Sequence, residues 1–257
     1  MRFPLIFAAL AFPLAVGAQG TDNSWSWSGA VEAGKWLRVA SVNGPIDVEP
    51  STDGRVHVTA EKKWRTGDPQ AVRFEVVERN GNVTICALWN ENATCNENGM
   101  SSRGRNNRNN NNDTQVHFRV RLPATANVAP TTVNGAITVA GARQQVRATT
   151  VNGGIEIGTS SGPVSATTVN GSIKASVGAV ASSDMKFTTV NGGIDLAVPR
   201  EFAADVHMTT VNGGITTDFP ITIQGRWGPR TASGRIGTGG GDLHMTTVNG
   251  SLALRSM

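Results

Sequence analysis

The segment Val146-Arg147-Ala148-Thr149-Thr150-Val151-Asn152-Gly153-Gly154-Ile155-Glu156-Ile157 decides the fold. Val146 and Ala148 alternate with the polar Arg147, and Ile155 and Ile157 alternate with Glu156, so each half reads as a strand with one buried face. The parity of the apolar positions changes across Thr-Thr-Val. The chain must therefore bend there, and Asn-Gly supplies the positive φ angles that a tight corner needs.

Val-Asn-Gly occurs seven times, with its Asn at Asn43, Asn134, Asn152, Asn170, Asn191, Asn212 and Asn249. From Asn134 onward the steps are 18, 18, 21, 21 and 37 residues. Self-similarity at such a period is the signature of a solenoid. Six residues before each Asn stands an apolar residue: Leu37, Val128, Val146, Val164, Met185, Val206 or Leu243. The next position is polar or charged (Arg38, Arg147, Ser165, Lys186, His207, His244), with Ala129 the exception. Three residues after the Asn comes Ile46, Ile137, Ile155, Ile173, Ile194, Ile215 or Leu252. The sequence thus predicts an all-β solenoid of two-strand coils over residues 124–257. In such a stack the seven Asn form an amide ladder and the Thr hydroxyls a second one, both structural.

The 37-residue step is read as two coils. Ala232-Ser233-Gly234-Arg235-Ile236 fits the corner template with Ser for Asn. A coil at Ser233 would separate His207 from His244 by about 9–10 Å, too far to share a metal ion. The last strand, Leu252-Ala253-Leu254, would leave an uncovered edge able to pair with a second copy.

Outward from the repeats, residues 19–123 hold the first Val-Asn-Gly and alternating segments at Arg55–Thr59, Val72–Val77, Val83–Leu88 and Val116–Leu122, with a turn at Arg79-Asn80-Gly81. This β-rich N-terminal part would cap the first coil. Residues 1–18 read as a secretory signal, with Arg2, an apolar run from Leu5 to Val16, and cleavage between Ala18 and Gln19. Nothing later is apolar enough to span a membrane. Export favours a disulfide between the only two cysteines, Cys86 and Cys95. In the chain-entropy model that bridge contributes about 2.5–3 kcal/mol. It would staple the base of a flexible Asn/Arg-rich insertion at 96–113.

Composition narrows the function classes. The chain has 257 residues, 39% hydrophobic and 16% charged, with 30 Gly and no Tyr. That is too apolar for disorder and unsuited to a helical bundle. The net charge of +4 is modest. Arg103, Arg105 and Arg108 have no interleaved aromatics, which argues against a nucleic-acid partner. Gly158-Thr159-Ser160-Ser161-Gly162 matches a hydrolase elbow in letters but has no helix after it. Asp47, Glu156 and Asp195 share one template slot, but Thr138, Lys174 and Thr216 interrupt it. No catalytic, cofactor-binding or metal-binding residues are assigned.

The reiterated Thr-Thr-Val-Asn-Gly-Gly-Ile, the tail Asp218-Phe219-Pro220-Ile221 through Gly234-Arg235-Ile236-Gly237, the closing Thr247-Val248-Asn249-Gly250-Ser251-Leu252 and the preceding Phe118-Arg119-Val120-Arg121-Leu122-Pro123 resemble the bacterial "putative adhesin" or toast-rack family of β-strand repeat proteins, a domain of unknown function. The resemblance implies an exported right-handed parallel β-helix without catalytic residues, in the periplasm or at the cell surface. The expected function is a non-enzymatic module that binds an envelope glycan or protein. A self-assembling scaffold and a carbohydrate-active β-helix enzyme are the alternatives.

Overall fold

The computed structural model describes residues 19–20, 23–102, 112–159, 161–178, 183–225 and 229–257. The leader at 1–18, the Arg103–Arg108 stretch and Ser160 lie outside them. In chain order the N-terminal strands are β1 (Gln19–Gly20), β2 (Ser24–Gly29), β3 (Trp36–Ala40), β4 (Ile46–Pro50), β5 (Val56–Lys63), β6 (Arg73–Arg79), β7 (Asn82–Leu88), β8 (Ala93–Asn96), β9 (Gly99–Ser102) and β10 (Gln115–Leu122). The repeats give β11 (Asn127–Thr131), β12 (Ile137–Ala142), β13 (Val146–Thr149), β14 (Ile155–Thr159), β15 (Val164–Thr167), β16 (Ile173–Val177), β17 (Met185–Thr188), β18 (Ile194–Val198), β19 (Ala204–Asn212) and β20 (Ile215–Thr217). Then come β21 (Thr222–Gln224), β22 (Arg230–Ile236), β23 (Asp242–Asn249) and β24 (Leu252–Ser256). Among the described residues the single helical element is a 3-10 turn at Pro69–Ala71.

The strands form two open eleven-stranded sheets and one small hairpin. Sheet I runs β1-β2-β5-β10-β4-β12-β14-β16-β18-β24-β20, and sheet II runs β6-β7-β3-β11-β13-β15-β17-β23-β19-β22-β21. Every Val-Asn-Gly corner joins a strand of sheet II to one of sheet I, and neighbouring coils pair in parallel and in register. Both sheets cross the 123/124 division, because β3 and β4 of the N-terminal part pair directly with β11 and β12. The core lies between the sheets. The Ile46, Ile137, Ile155, Ile173, Ile194, Leu252 and Ile215 row of sheet I and the Leu37, Val128, Val146, Val164, Met185, Leu243 and Val206 row of sheet II are all buried. Each such side chain is worth about 1.5–3 kcal/mol of hydrophobic burial. At the N-terminal end Phe74 of sheet II stacks on Trp25 at 4.9 Å and meets Phe118 edge-on at 5.9 Å, both from sheet I. The β6–β7 hairpin turns at Asn80 and Gly81, with φ of 52° and 76°.

The order of coils in the stack differs from their order in the chain. β23 lies between β17 and β19, and β24 lies between β18 and β20. The last coil is therefore an interior one, and three expectations are corrected. Ser233 is not a corner: it sits within β22, antiparallel to β19 and opposite His207. His207 and His244 are direct neighbours whose rings stack at 5.1 Å, rather than being a coil apart. Leu252-Ala253-Leu254 is paired on both sides, and the sheets end instead at β20 and β21. The 37-residue step misled because a repeat template identifies equivalent positions without saying which copies abut.

The corner glycines also act differently from the expectation. Among the seven, only Gly44 has a φ in the left-handed region, at 120°. At Gly135, Gly153, Gly171, Gly192, Gly213 and Gly250 the constraint is close stacking. A Cβ there would lie 1.9–2.1 Å from the carbonyl oxygen of the corner glycine one coil away. The same carbonyls accept from buried threonines: Thr150 Oγ1 donates to Gly135, Thr168 to Gly153, Thr189 to Gly171, Thr247 to Gly192 and Thr210 to Gly250, at 2.8–2.9 Å. The first coil has Ser41 in this slot, and its hydroxyl is buried without a partner among the described residues.

Candidate ligand-binding face

The seven Asn line one edge of the molecule in the order 43, 134, 152, 170, 191, 249, 212. Side-chain amides join Asn152 to Asn134, Asn170 to Asn152, Asn191 to Asn170, Asn249 to Asn191 and Asn212 to Asn249, each Nδ2 donating to an Oδ1 at 2.8 Å. At the N-terminal end Asn43 Nδ2 donates to the carbonyl of Thr114, which also accepts from Trp89 Nε1. From Asn134 onward these amides are exposed, whereas the Thr rank beneath them is buried. The Val before each Asn also points outward, 36–38% exposed at Val133, Val169, Val190, Val211 and Val248. The amide rank expected of all seven Asn therefore runs through six of them, and from Asn134 onward the edge is a uniform ridge of repeating chemistry, with Asn43 outside it.

The two outer sheet faces differ in charge. On sheet I the middle outward row reads Arg119, Asp47, Thr138, Glu156, Lys174, Asp195, Ala253, Thr216. Its charges are of both signs and mostly matched: Asp47 meets His117 at 2.6 Å, Asp195 meets Arg255 at 3.0 Å and Arg119 meets Glu61 at 3.5 Å. Of the carboxylate slot noted in the sequence, Asp47 and Asp195 are thus paired on their own surface. On sheet II the corresponding row reads Thr84, Arg38, Ala129, Arg147, Ser165, Lys186, His244, His207. Among the described residues Arg38, Arg147 and Lys186 make no ion pair.

At the N-terminal end of this row is a groove of about 360 Å³. Trp36, Arg38, Ala129 and Arg147 form its floor, and Asn98 and Met100 overhang it. The Arg38 and Arg147 guanidinium carbons stand 5.7 and 5.1 Å from the Trp36 ring centre, so two cations share one indole. Trp36 is fixed at the start of β3, where its backbone N–H donates to Asn82 Oδ1 at 2.9 Å. Ala129 is the one apolar residue of the row, and its small side chain between Arg38 and Arg147 opens the floor. Burial, and then the like charge of Arg147, hold the Arg38 guanidinium below its ordinary pKa, while Glu97 pulls it up. Glu97 itself pairs with Arg79 at 3.4 Å.

The overhang is the β8–β9 hairpin. It falls partly within the segment expected to be a flexible insertion, yet residues 96–102 are ordered into a paired strand and turn. Cys86–Cys95 ties the hairpin to β7 with the Cα atoms 5.8 Å apart. Thr84 Oγ1 donates to the Glu97 carbonyl at 3.2 Å, the Cys95 N–H donates to Glu75 Oε2 at 2.9 Å, and Arg73 donates to the carbonyls of Asn90 and Ala93. The wall is therefore held from three sides.

The groove could be found in the sequence only in fragments. Arg38, Ala129 and Arg147 are visible as one template position, but the adjacency of β3 and β11 spans 91 residues, and Trp36 stands one slot outside the aligned motif. Among the described residues no three His, Cys, Asp or Glu side chains gather as a metal site. No helix among them is long and apolar enough to cross a membrane.

No family model matches the chain, and no curated protein matches it. Among solved structures, a "putative cell adhesion protein" from Clostridium sporogenes is similar over 90% of this chain and 99% of its own, at 8% identity and a TM-score of 0.47. A "putative adhesin" from Bacteroides fragilis is similar over 94% of this chain and 100% of its own, at 10% identity and a TM-score of 0.40. Likenesses this distant carry no argument about what this chain binds.

Proposed function

We propose that the chain is an exported, non-enzymatic binding module of the cell envelope and that the outer face of sheet II is its working surface. The observation that carries this reading is the Trp36 groove, where an indole and two unpaired guanidinium groups converge on a rigid sheet beneath a stapled hairpin. Concave sites with a few convergent polar groups are the usual places for ligands. The right-handed winding implied by the family resemblance, and a capping role for the strands before Pro123, belong to the same reading. The capping role is supported by the antiparallel additions β5, β2 and β6, which extend the sheets past the first coil. The scaffold alternative has lost the C-terminal edge that motivated it. The enzyme alternative needs clustered carboxylates, and the acidic slot of sheet I is spread over separate coils, with Asp47 and Asp195 facing His117 and Arg255.

The test is capture of separated envelope fractions (outer membrane, peptidoglycan and soluble periplasm) by the purified chain. Saturable capture by one fraction, lost in the Arg38→Ala/Arg147→Ala variant, is the expected result. Equal capture by wild type and variant would move the site elsewhere, and capture of nothing would remove the binding-module reading.

A further inference from the structure

We propose that the Trp36 groove is a subsite for an acidic glycan, with a sugar carboxylate held between Arg38 and Arg147 and the sugar ring lying on Trp36. The proposal rests on the binding-module reading above and narrows it to one ligand class.

Three features favour a sugar acid. First, guanidinium groups are planar forks that match a carboxylate through two parallel N–H donors. Arg38 and Arg147 lie two strands apart across the small Ala129, so an anion can approach both. Glu97 relieves their mutual repulsion only in part, because it is itself paired with Arg79, and among the described residues neither guanidinium group has an ion-pair partner of its own. Second, a pyranose C–H face suits the Trp36 indole, which it would reach as the two guanidinium groups now over the ring turn to the carboxylate. Among the described residues it is the single aromatic side chain lining the groove, whereas a single-stranded nucleic acid calls for a succession of stacking platforms. Third, the Thr131 and Thr149 hydroxyl groups border the same floor and can pair with sugar hydroxyls.

The row continues in a way that suits a polymer. Beyond Arg147 come Ser165 and then Lys186, so a cation stands on every second coil. With strands about 4.8 Å apart, these charges recur at about 9.6 Å. A homopolymer of sugar acids presents every second carboxylate at a similar interval. Such a chain would lie along the stack axis, across the strands.

The experiment is titration calorimetry of the full chain with three probes: an oligogalacturonate, its methyl ester, and a polyphosphate of matched charge. The oligogalacturonate should bind and the neutral ester should bind at least about tenfold more weakly, a difference well within the worth of one charge-assisted pair. Arg147→Ala, at an exposed position, should weaken the acid oligomer about tenfold. Trp36→Ala should weaken the acid oligomer and leave polyphosphate unchanged, and Lys174→Ala on sheet I should change neither. Melting curves of each variant check folding. If Trp36→Ala fails to fold, Arg147→Ala carries the test alone.

The proposal is overturned by a failure to bind the oligogalacturonate, or by binding that Arg147→Ala does not alter. It is also overturned if polyphosphate binds as tightly in an Arg147-dependent manner, which would mark a general anion site. Arg147-dependent capture of an envelope fraction without oligogalacturonate binding would sink this proposal alone. Absence of both would sink the binding-module reading with it.

Discussion

A methyl group on Gly171 would meet the Gly153 carbonyl oxygen at 2.0 Å, a contact that only backbone movement can relieve. Overpacking of this kind costs about 1–3 kcal/mol and sometimes more. Gly171→Ala should therefore lower the melting temperature more than Asn170→Ala. The latter removes two exposed amide hydrogen bonds, each at the low end of about 0.5–1.5 kcal/mol, and should leave groove binding intact. Equal losses in thermal denaturation would show that the amide rank, and not close stacking, holds the corner. Asp113 supplies a pH dependence. Its carboxylate accepts from the backbone N–H groups of Gly67, Arg65 and Thr66, and these bonds hold its pKa below the usual value. A depressed folded-state pKa contributes stability above the unfolded value of about 3.9, lost as pH falls through the folded one. Melting temperature followed downward from pH 6 should decline in that acid window, and Asp113→Asn should flatten this part of the decline.

The β8–β9 hairpin shows what one element contributes. Replacing Cys86 and Cys95 with Ser should cost about 2.5–3 kcal/mol, and hydrogen exchange should quicken at residues 93–102 before it does in the sheets. Ligand affinity should fall with the loosened wall, while exchange in β13 and β15 stays slow. Uniform quickening across both sheets would make the bridge a global staple. The strands themselves were legible in the sequence because alternation and spacing fix which residues face inward: Ile137, Ile155 and Ile173 stand in one buried row, as their template position requires. The corner was legible in its residues and misread in its mechanism. Asn-Gly in isolation speaks of backbone twist, and only the neighbouring coil reveals that Gly153 is needed for contact. The groove was the least legible feature, because its floor joins the first coil to coils far away in the chain and its wall is a hairpin outside the repeat.

At the scale of the molecule the governing feature is the insertion of the last coil between two earlier ones. Residues 242–257 supply both β23 and β24, each pairing on two sides. A chain truncated after Gly241 should leave β19 and β20 without their parallel partners. Limited proteolysis should then cut β19 and β22 sooner than in the full chain, and unchanged cutting would show that β19 can dock on β17 directly. The stack order could not be read from the sequence because seven near-identical corners offer near-identical neighbours. The segment between β18 and β19, Pro199-Arg200-Glu201-Phe202-Ala203, carries no mark that it steps over a vacant place. That geometry has a consequence for a chain that emerges N-terminus first. Coils up to β18 can zip onto one another as they appear, but β19 to β22 must wait, unseated, until the final segment arrives to fill the gap. Assembly of this half is closed by a keystone that follows both flanking coils in the chain, so any earlier docking of β19 onto β17 must be undone before it can seat.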